Sequence, residues 1–351
     1  MKRYFQNIRK VRPYVPGEQP DFPDMIKLNT NENPYPPAPG VQQVLRQMSA
    51  EPMRLYPDPT SHALNQAIAE AFHVDVTQVF TGIGSDDVLA MIFQTFFNDR
   101  RPVLFPDITY AFYPVWCELF QIPYQTIPLH ENFEIVPTDY FVENGGIVFP
   151  NPNAPTGIEL PASAIVQILE HNTESLVVVD EAYVDFGGTS VLPLLTKYKN
   201  LLVVQTFSKS RSLAGARIGF AIGAPELIHA LHNVKYSFNS YTISRPSLEI
   251  GIAAMRDTAY FHETTTKIIA TRERTKTRLR ALGFQFSDSK SNFLFVTHPQ
   301  WNAKKLFEKL RAAHIFVRWF DQPRIRDYLR ITIGTDAQMD ALFSFLETYQ
   351  E

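Results

Sequence analysis

The 351-residue chain is long enough for two domains, or for one large domain with a smaller one attached, and its 45% of apolar residues suffice to fill such cores. A formal net charge of −3 gives no long-range attraction for nucleic acid or for an anionic membrane. Small-molecule chemistry is the default that remains.

Cys117 is the only cysteine, so neither an intrachain disulfide nor a thiolate metal cluster can form, and no metal is expected. Its default role is a free core thiol. The opening MKRYFQNIRK is basic, but no apolar segment follows it before Pro13 and Pro16, which makes a poor signal peptide. No apolar run approaches the roughly 20 residues that span a bilayer. A reducing, cytoplasmic setting is the expectation.

In chain order, the proline-rich KLNTNENPYPPAPG at 27–40 reads as an extended surface segment. FTGIGSDDVLAMIFQTFF at 80–97 follows: Gly82 and Gly84 allow a tight turn, and Ser85 is placed to N-cap a helix whose first turn carries Asp86 and Asp87. Free N–H groups at such a start suit a phosphate, although an ordinary capped helix explains the same residues. The third glycine of a dinucleotide-binding GxGxxG is missing.

Short apolar runs then alternate with amphipathic segments: VLFP at 103, GIVFP at 146, LVVVD at 176, LLVVQTF at 201 and IGFAIG at 218, with PASAIVQILEHN at 161 as one of the helical patterns between them. That alternation predicts βαβ units and an α/β architecture, a mostly parallel sheet covered by helices. From about Ala259 the texture changes to a long charged helix, TTTKIIATRERTKTRLRALG, ended by Gly283. Short strands at 292–296 and 329–333 and a last helix from Asp336 predict a smaller α+β domain.

In open parallel sheets, ligands bind at the carboxyl ends of strands. There LVVVDEAYVDF places Asp180 at a strand end with Tyr183 close behind, a turn-capping aspartate or a carboxylate aimed at a cofactor. Lys209 stands after the next apolar strand, and no acidic residue occurs from Phe186 to Pro225, whereas Lys197, Lys199, Lys209, Arg211 and Arg217 do. A lysine near other cations and partly desolvated has a lowered pKa and offers a neutral nucleophilic amine. NPNAPTG at 151–157, after another strand, packs two asparagines, two prolines and a glycine into a stiff turn.

Taken together, the order GxGS, PTG turn, strand ending in DEAY, then SKSxxxAGxRxG resembles the fold-type I pyridoxal-phosphate aminotransferases of class II, and KLNTNENPYPP, RLYPDP and YLRITIGTD resemble segments of the histidinol-phosphate aminotransferase group within it. The resemblance implies an arm at 1–30 that joins the small domain, a large cofactor-binding domain at 31–255 and a small C-terminal domain at 256–351. It implies pyridoxal 5'-phosphate held covalently by Lys209, which also moves the substrate proton. Asp180 would pair with the pyridine nitrogen and Tyr183 donate to the ring oxygen. Gly84 and Asp86 would be among the cofactor-binding residues, while Ser85, backbone N–H groups of the helix start, Thr206, Ser208 and Arg217 would hold the phosphate, which a guanidinium fork suits. Tyr110 would stack on the ring or serve as a core tyrosine. Asn153 would replace the asparagine usual at Ala154, or Tyr183 would act alone.

Tyr56 would reach the neighbouring subunit's site, which implies a homodimer with active sites at its interface. Arg330, with Tyr14 and Asn33, would bind the substrates, and Arg318 would either complete that pocket or stand as an exposed strand residue. The implied reaction moves an amino group between L-histidinol phosphate and 2-oxoglutarate, a step of histidine biosynthesis. An aromatic aminotransferase and a threonine-phosphate decarboxylase share the scaffold. A regulatory protein of the same fold would carry an N-terminal DNA-binding domain, for which a resemblance that begins by Arg12 leaves no room.

Overall fold

The computed structural model describes residues 2–350. Strand β1 (Ile26–Lys27) precedes the strands of a large sheet: β2 (Val79–Gly82), β3 (Val103–Pro106), β4 (Tyr124–Ile127), β5 (Gly146–Pro150), β6 (Val177–Asp180), β7 (Leu201–Thr206) and β8 (Gly219–Gly223). Their order is β2-β8-β7-β6-β5-β3-β4, and β8 alone runs antiparallel to its neighbours.

These strands are apolar at consecutive positions because both faces of the sheet are covered. Val177, Val179, Leu201 and Val203 point into one core with Ile68, Ile165 and Ile250 from helices. Val178, Leu202 and Val204 point into the other, which is closed by Leu89, Phe93, Trp116 and Leu231. Cys117 is buried there, and burial pushes its thiol up to about 12, far from thiolate chemistry.

The second unit is an antiparallel sheet of β9 (Gln285–Phe286), β10 (Phe293–Thr297), β12 (Arg318–Trp319) and β13 (Leu329–Thr332), ordered β12-β13-β10-β9. It packs on the helices Thr258–Ala281, Ala303–Ala312 and Asp336–Thr348 through Leu279, Leu306 and Leu342. The charged helix stops where Gly283 adopts φ +88: the N–H of Gly283 bonds to the Arg280 carbonyl and that of Phe284 to the Leu279 carbonyl, each at 3.0 Å. This closes the free carbonyls at the helix end.

The N-terminal arm belongs to this smaller body. β1 pairs in parallel with β11 (Ile315–Phe316), and Leu28 is fully buried in the small core. Ala154 and Tyr183, from the loops after β5 and β6, are buried in the same core, so the site lies where the two bodies meet.

Candidate active site

Sheet register brings the site together. Gly219 at the start of β8 pairs with Gly82 at the end of β2 on one side and with Thr206 at the end of β7 on the other. The turns after β2, β6 and β7 and the turn before β8 therefore open on one edge. They surround a cavity of about 510 Å³ that Ser85, Asp86, Tyr110, Asp180, Tyr183 and Lys209 line, together with Thr206, Ser208, Arg217, Arg330 and Tyr14.

One end of the cavity is a cup of donors. Gly84 adopts φ +80, and a Cβ there would lie 2.4 Å from the Arg217 guanidinium. A Cβ on Gly219 would lie 2.2 Å from the Ser85 nitrogen, so both glycines are required for the helix start to approach this closely. Arg217 itself is left-handed at φ 53, a conformation that costs a non-glycine residue about 1 kcal/mol. Its guanidinium donates to Ser208 Oγ at 3.3 Å and pairs with Asp86 at 3.2 Å. Ser85 is not the N-cap: the helix Gly84–Phe96 starts one residue earlier, Ile83 holds the cap position, and Asp87 takes the Ile83 N–H at 2.9 Å. The Ser85 hydroxyl is thereby left to line the cavity.

Asp180 sits beneath the middle of the cavity, only 4% exposed. It accepts from Tyr113 Oη at 3.3 Å and from the Ala182 N–H at 3.2 Å, and no cation pairs with it among the described residues. Burial raises it to about 7 against those hydrogen bonds and the Lys209 charge, which lower it. Lys209 donates to the Thr30 carbonyl at 3.0 Å and stands 5.8 Å from the Tyr183 ring. Burial, then Arg330, bring its amine down to about 8, while Asp86 and Glu32 act in the opposite direction and Arg217 adds to the lowering. The phenol of Tyr183 accepts from Asn31 at 3.0 Å. Tyr110 borders the cavity and donates to Asp86 at 2.6 Å, which fixes its ring at the wall instead of leaving it free in the core.

At the other end Arg330 donates to the Asn29 carbonyl at 2.9 Å while its Nε has no partner. Arg318 is not a solvated strand residue: it is half-buried, lines the cavity, donates to the carbonyls of Val15 and Pro16 and lies 5.5 Å from the Phe320 ring centroid. No carboxylate pairs with either arginine among the described residues. The Tyr14 ring stacks on Phe112 with centroids 4.1 Å apart beside them.

Three expected residues lie elsewhere. Asn33 turns away from the cavity and donates to the Ser210 carbonyl at 3.1 Å, bracing the lysine loop. Asn153 is 3% exposed and spends its amide on the Ile108 carbonyl and Thr156, so it fastens loops and Ala154 occupies the wall instead. Tyr56 is 77% exposed, stacked on Tyr241 outside the cavity. Asn31, two residues before Asn33 in the same NTNENP stretch, is the asparagine that reaches Tyr183; only the extended run of polar residues hinted at it.

The chain matches the aminotransferase class I and II family model over residues 23–346 and belongs to that family. It is 54% identical over 343 residues to histidinol-phosphate aminotransferase of Lactococcus lactis subsp. cremoris, covering 98% of this chain and 96% of the relative. It is also 54% identical over 340 residues to histidinol-phosphate aminotransferase of Chromohalobacter salexigens, covering 97% of each. The crystal structure of histidinol-phosphate aminotransferase from Sinorhizobium meliloti in complex with pyridoxal-5'-phosphate superposes with a TM-score of 0.83 at 27% identity, covering 91% of this chain and 89% of that one.

Proposed function

We propose that the chain is a pyridoxal-phosphate-dependent aminotransferase that moves an amino group between L-histidinol phosphate and 2-oxoglutarate, in L-histidine biosynthesis. The observation that carries the substrate assignment is the pair Arg318 and Arg330, two guanidinium groups without carboxylate partners among the described residues, facing the cavity that holds Lys209. A phosphate accepts from both, and the carboxylates of glutamate use the same donors in the other half of the cycle. Near-complete coverage of relatives carrying that name supports the same reading.

The residues fit the cofactor. Asp180 is a buried carboxylate with no cation partner among the described residues, and Arg217, Ser208 and Ser85 line one end of the cavity with donors from which a phosphate would accept. Bound there, pyridoxal phosphate supplies an aldehyde that accepts the amino group and a protonated ring that accepts the electrons freed at the substrate Cα. Asp180 keeps the proton on the pyridine nitrogen. Ser85, Thr206, Ser208 and Arg217 would bind the phosphate, and Tyr110 and Tyr183 would contact the ring. Lys209 anchors the cofactor and, once displaced, carries the proton from the substrate Cα through Nζ, for which an amine near neutrality is suited. Arg330, Arg318 and Tyr14 orient the substrate.

We also propose that a second copy covers the exposed apolar group of Leu55, Tyr56, Phe238 and Tyr241, and that Tyr56 there reaches the partner's site. Among the described residues no helix is long and apolar enough to cross a membrane. The cytoplasm is the compartment that suits a biosynthetic enzyme with one cysteine.

The deciding experiment mixes cofactor-loaded protein separately with histidinol phosphate, phenylalanine and threonine phosphate and follows the cofactor absorption. Conversion by histidinol phosphate alone is expected. Preference for phenylalanine makes the protein an aromatic aminotransferase, and release of carbon dioxide from threonine phosphate makes it a decarboxylase. Lys209→Ala should retain cofactor without covalent attachment and lose turnover by roughly 10²-fold to 10⁴-fold or more; near-normal turnover would remove Lys209 from its role.

A further inference from the structure

The Lys209 amine of the large domain is tied to the N-terminal arm. Its Nζ donates to the Thr30 carbonyl at 3.0 Å. The hydroxyl of the same Thr30 donates to Glu32 Oε2 at 2.6 Å, and Lys27 Nζ donates to both that hydroxyl and that carboxylate. Lys27 in turn stands in β1, register partner of Phe316 on β11 of the small domain. The triad Lys27, Thr30 and Glu32 thus begins on the small domain's edge and ends at the lysine.

Burial works to raise the Glu32 carboxyl, but its bonds to Lys27 and Thr30 and the charges of Lys27 and Lys209 outweigh it and hold the group below the usual glutamate range. Glu32 is therefore an anion at neutral pH. The other charged or titratable groups acting on Lys209 are Arg330 from β13, Arg217 before β8, Asp86 from the first helix turn after β2, Asp180 at the end of β6 and Tyr183 after it. Glu32, unlike these, is also bonded to the residue whose carbonyl receives the amine.

We propose that Glu32 is a positioning residue for Lys209: by gripping Lys27 and Thr30 it fixes the Thr30 carbonyl as the acceptor for the free amine and keeps a negative charge beside it. This rests on Lys209 being the catalytic amine. In a transfer cycle the lysine is released from the cofactor and needs a defined place while it carries a proton. A carbonyl acceptor supplies one: it takes an N–H and leaves the nitrogen lone pair free for the proton at the substrate carbon. Because the grip includes Lys27 of β1, that place is registered to the small domain.

The test uses cofactor-free protein, acetic anhydride as an amine-specific label, and peptide mass spectrometry to follow acetylation of Lys209 against pH, with the exposed Lys267 as an internal control. Glu32→Gln keeps the shape and removes the charge, so the Lys209 labelling midpoint should fall and labelling at pH 7 rise roughly threefold or more. Lys267 should not change. Glu32→Asp should restore much of the wild-type profile. An unmoved Lys209 midpoint in Glu32→Gln, or Lys209 and Lys267 rising together, overturns the proposal. Borohydride reduction of the loaded wild-type protein should leave the cofactor mass on the Lys209 peptide. A tag elsewhere removes the catalytic reading of Lys209 and this inference with it, whereas a tag on Lys209 with unmoved variants removes the inference alone.

Discussion

Arg318 and Arg330 occupy directly opposed positions on β12 and β13, so an antiparallel ladder holds two guanidinium groups side by side. Like charges placed opposite one another destabilise a sheet. Burial, with Arg318 adding to it, also lowers the Arg330 pKa, so the free protein holds these cations at a cost that an anion offsets.

Arg318→Ala should therefore cut kcat/KM for histidinol phosphate by about 10-fold to 100-fold, the worth of a charge-assisted hydrogen bond lost in a desolvated site. Unphosphorylated histidinol should be affected far less, and the thermal stability of the anion-free protein should stay level or rise. Steady-state kinetics with both compounds and a thermal melt check this. Equal losses for the two substrates would mean that Arg318 does not meet the phosphate.

Asp180 gives a pH signature. Its folded pKa is raised to about 7, above the roughly 3.9 of an unfolded aspartate, so the unfolded chain releases this proton first. In the cofactor-free protein the group lowers stability as pH rises from about 4 to about 7, and the loss is complete above that window. Asp180→Asn should flatten this part of the pH–stability curve, raise the melting temperature of the cofactor-free protein at pH 8, and still slow the half-reaction by orders of magnitude. Glu181, also raised to about 7 by burial, contributes a slope of the same sign that the variant should retain.

The exposed aromatic pair Tyr56 and Tyr241, with ring centroids 4.5 Å apart, should be covered by a second copy. Sedimentation should give a dimer for the wild type. Tyr56→Phe should leave the dimer intact yet raise the cofactor dissociation constant several-fold, because only the hydroxyl is lost to the neighbouring phosphate. A monomeric wild type with full activity would remove the shared-site arrangement.

Much of the fold was legible because its signals are local. Apolar runs bounded by turn residues marked β3, β5, β6, β7 and β8, and Gly283 marked a helix end that falls at Ala281 with Leu282 in the cap position. The antiparallel direction of β8 was not, since pairing direction is set by partners far along the chain. Lys209, Asp180, Tyr183 and Arg217 stood out because each follows or precedes a buried strand and so had to emerge at the sheet edge. Arg318 stayed open between a pocket residue and an exposed one because a single arginine beside Trp319 gives no sign of which face turns inward, and Arg330, its partner, lies on another strand. Asn33 and Asn153 were expected at the cavity on the strength of the resemblance. Whether an amide serves a ligand or fastens a loop depends on which carbonyls tertiary folding leaves nearby, Ser210 and Ile108 here.

The pairing of β1 with β11 carries a consequence for the birth of the molecule. During synthesis the seven strands of the large sheet emerge first and can assemble as a unit, whereas β1 and Leu28 wait for a partner from the last part of the chain. The Thr30 carbonyl beneath Lys209 cannot be set until that partner leaves the ribosome. A nascent chain of this protein would thus own a complete sheet while the acceptor of the Lys209 amine still waits for its final strands.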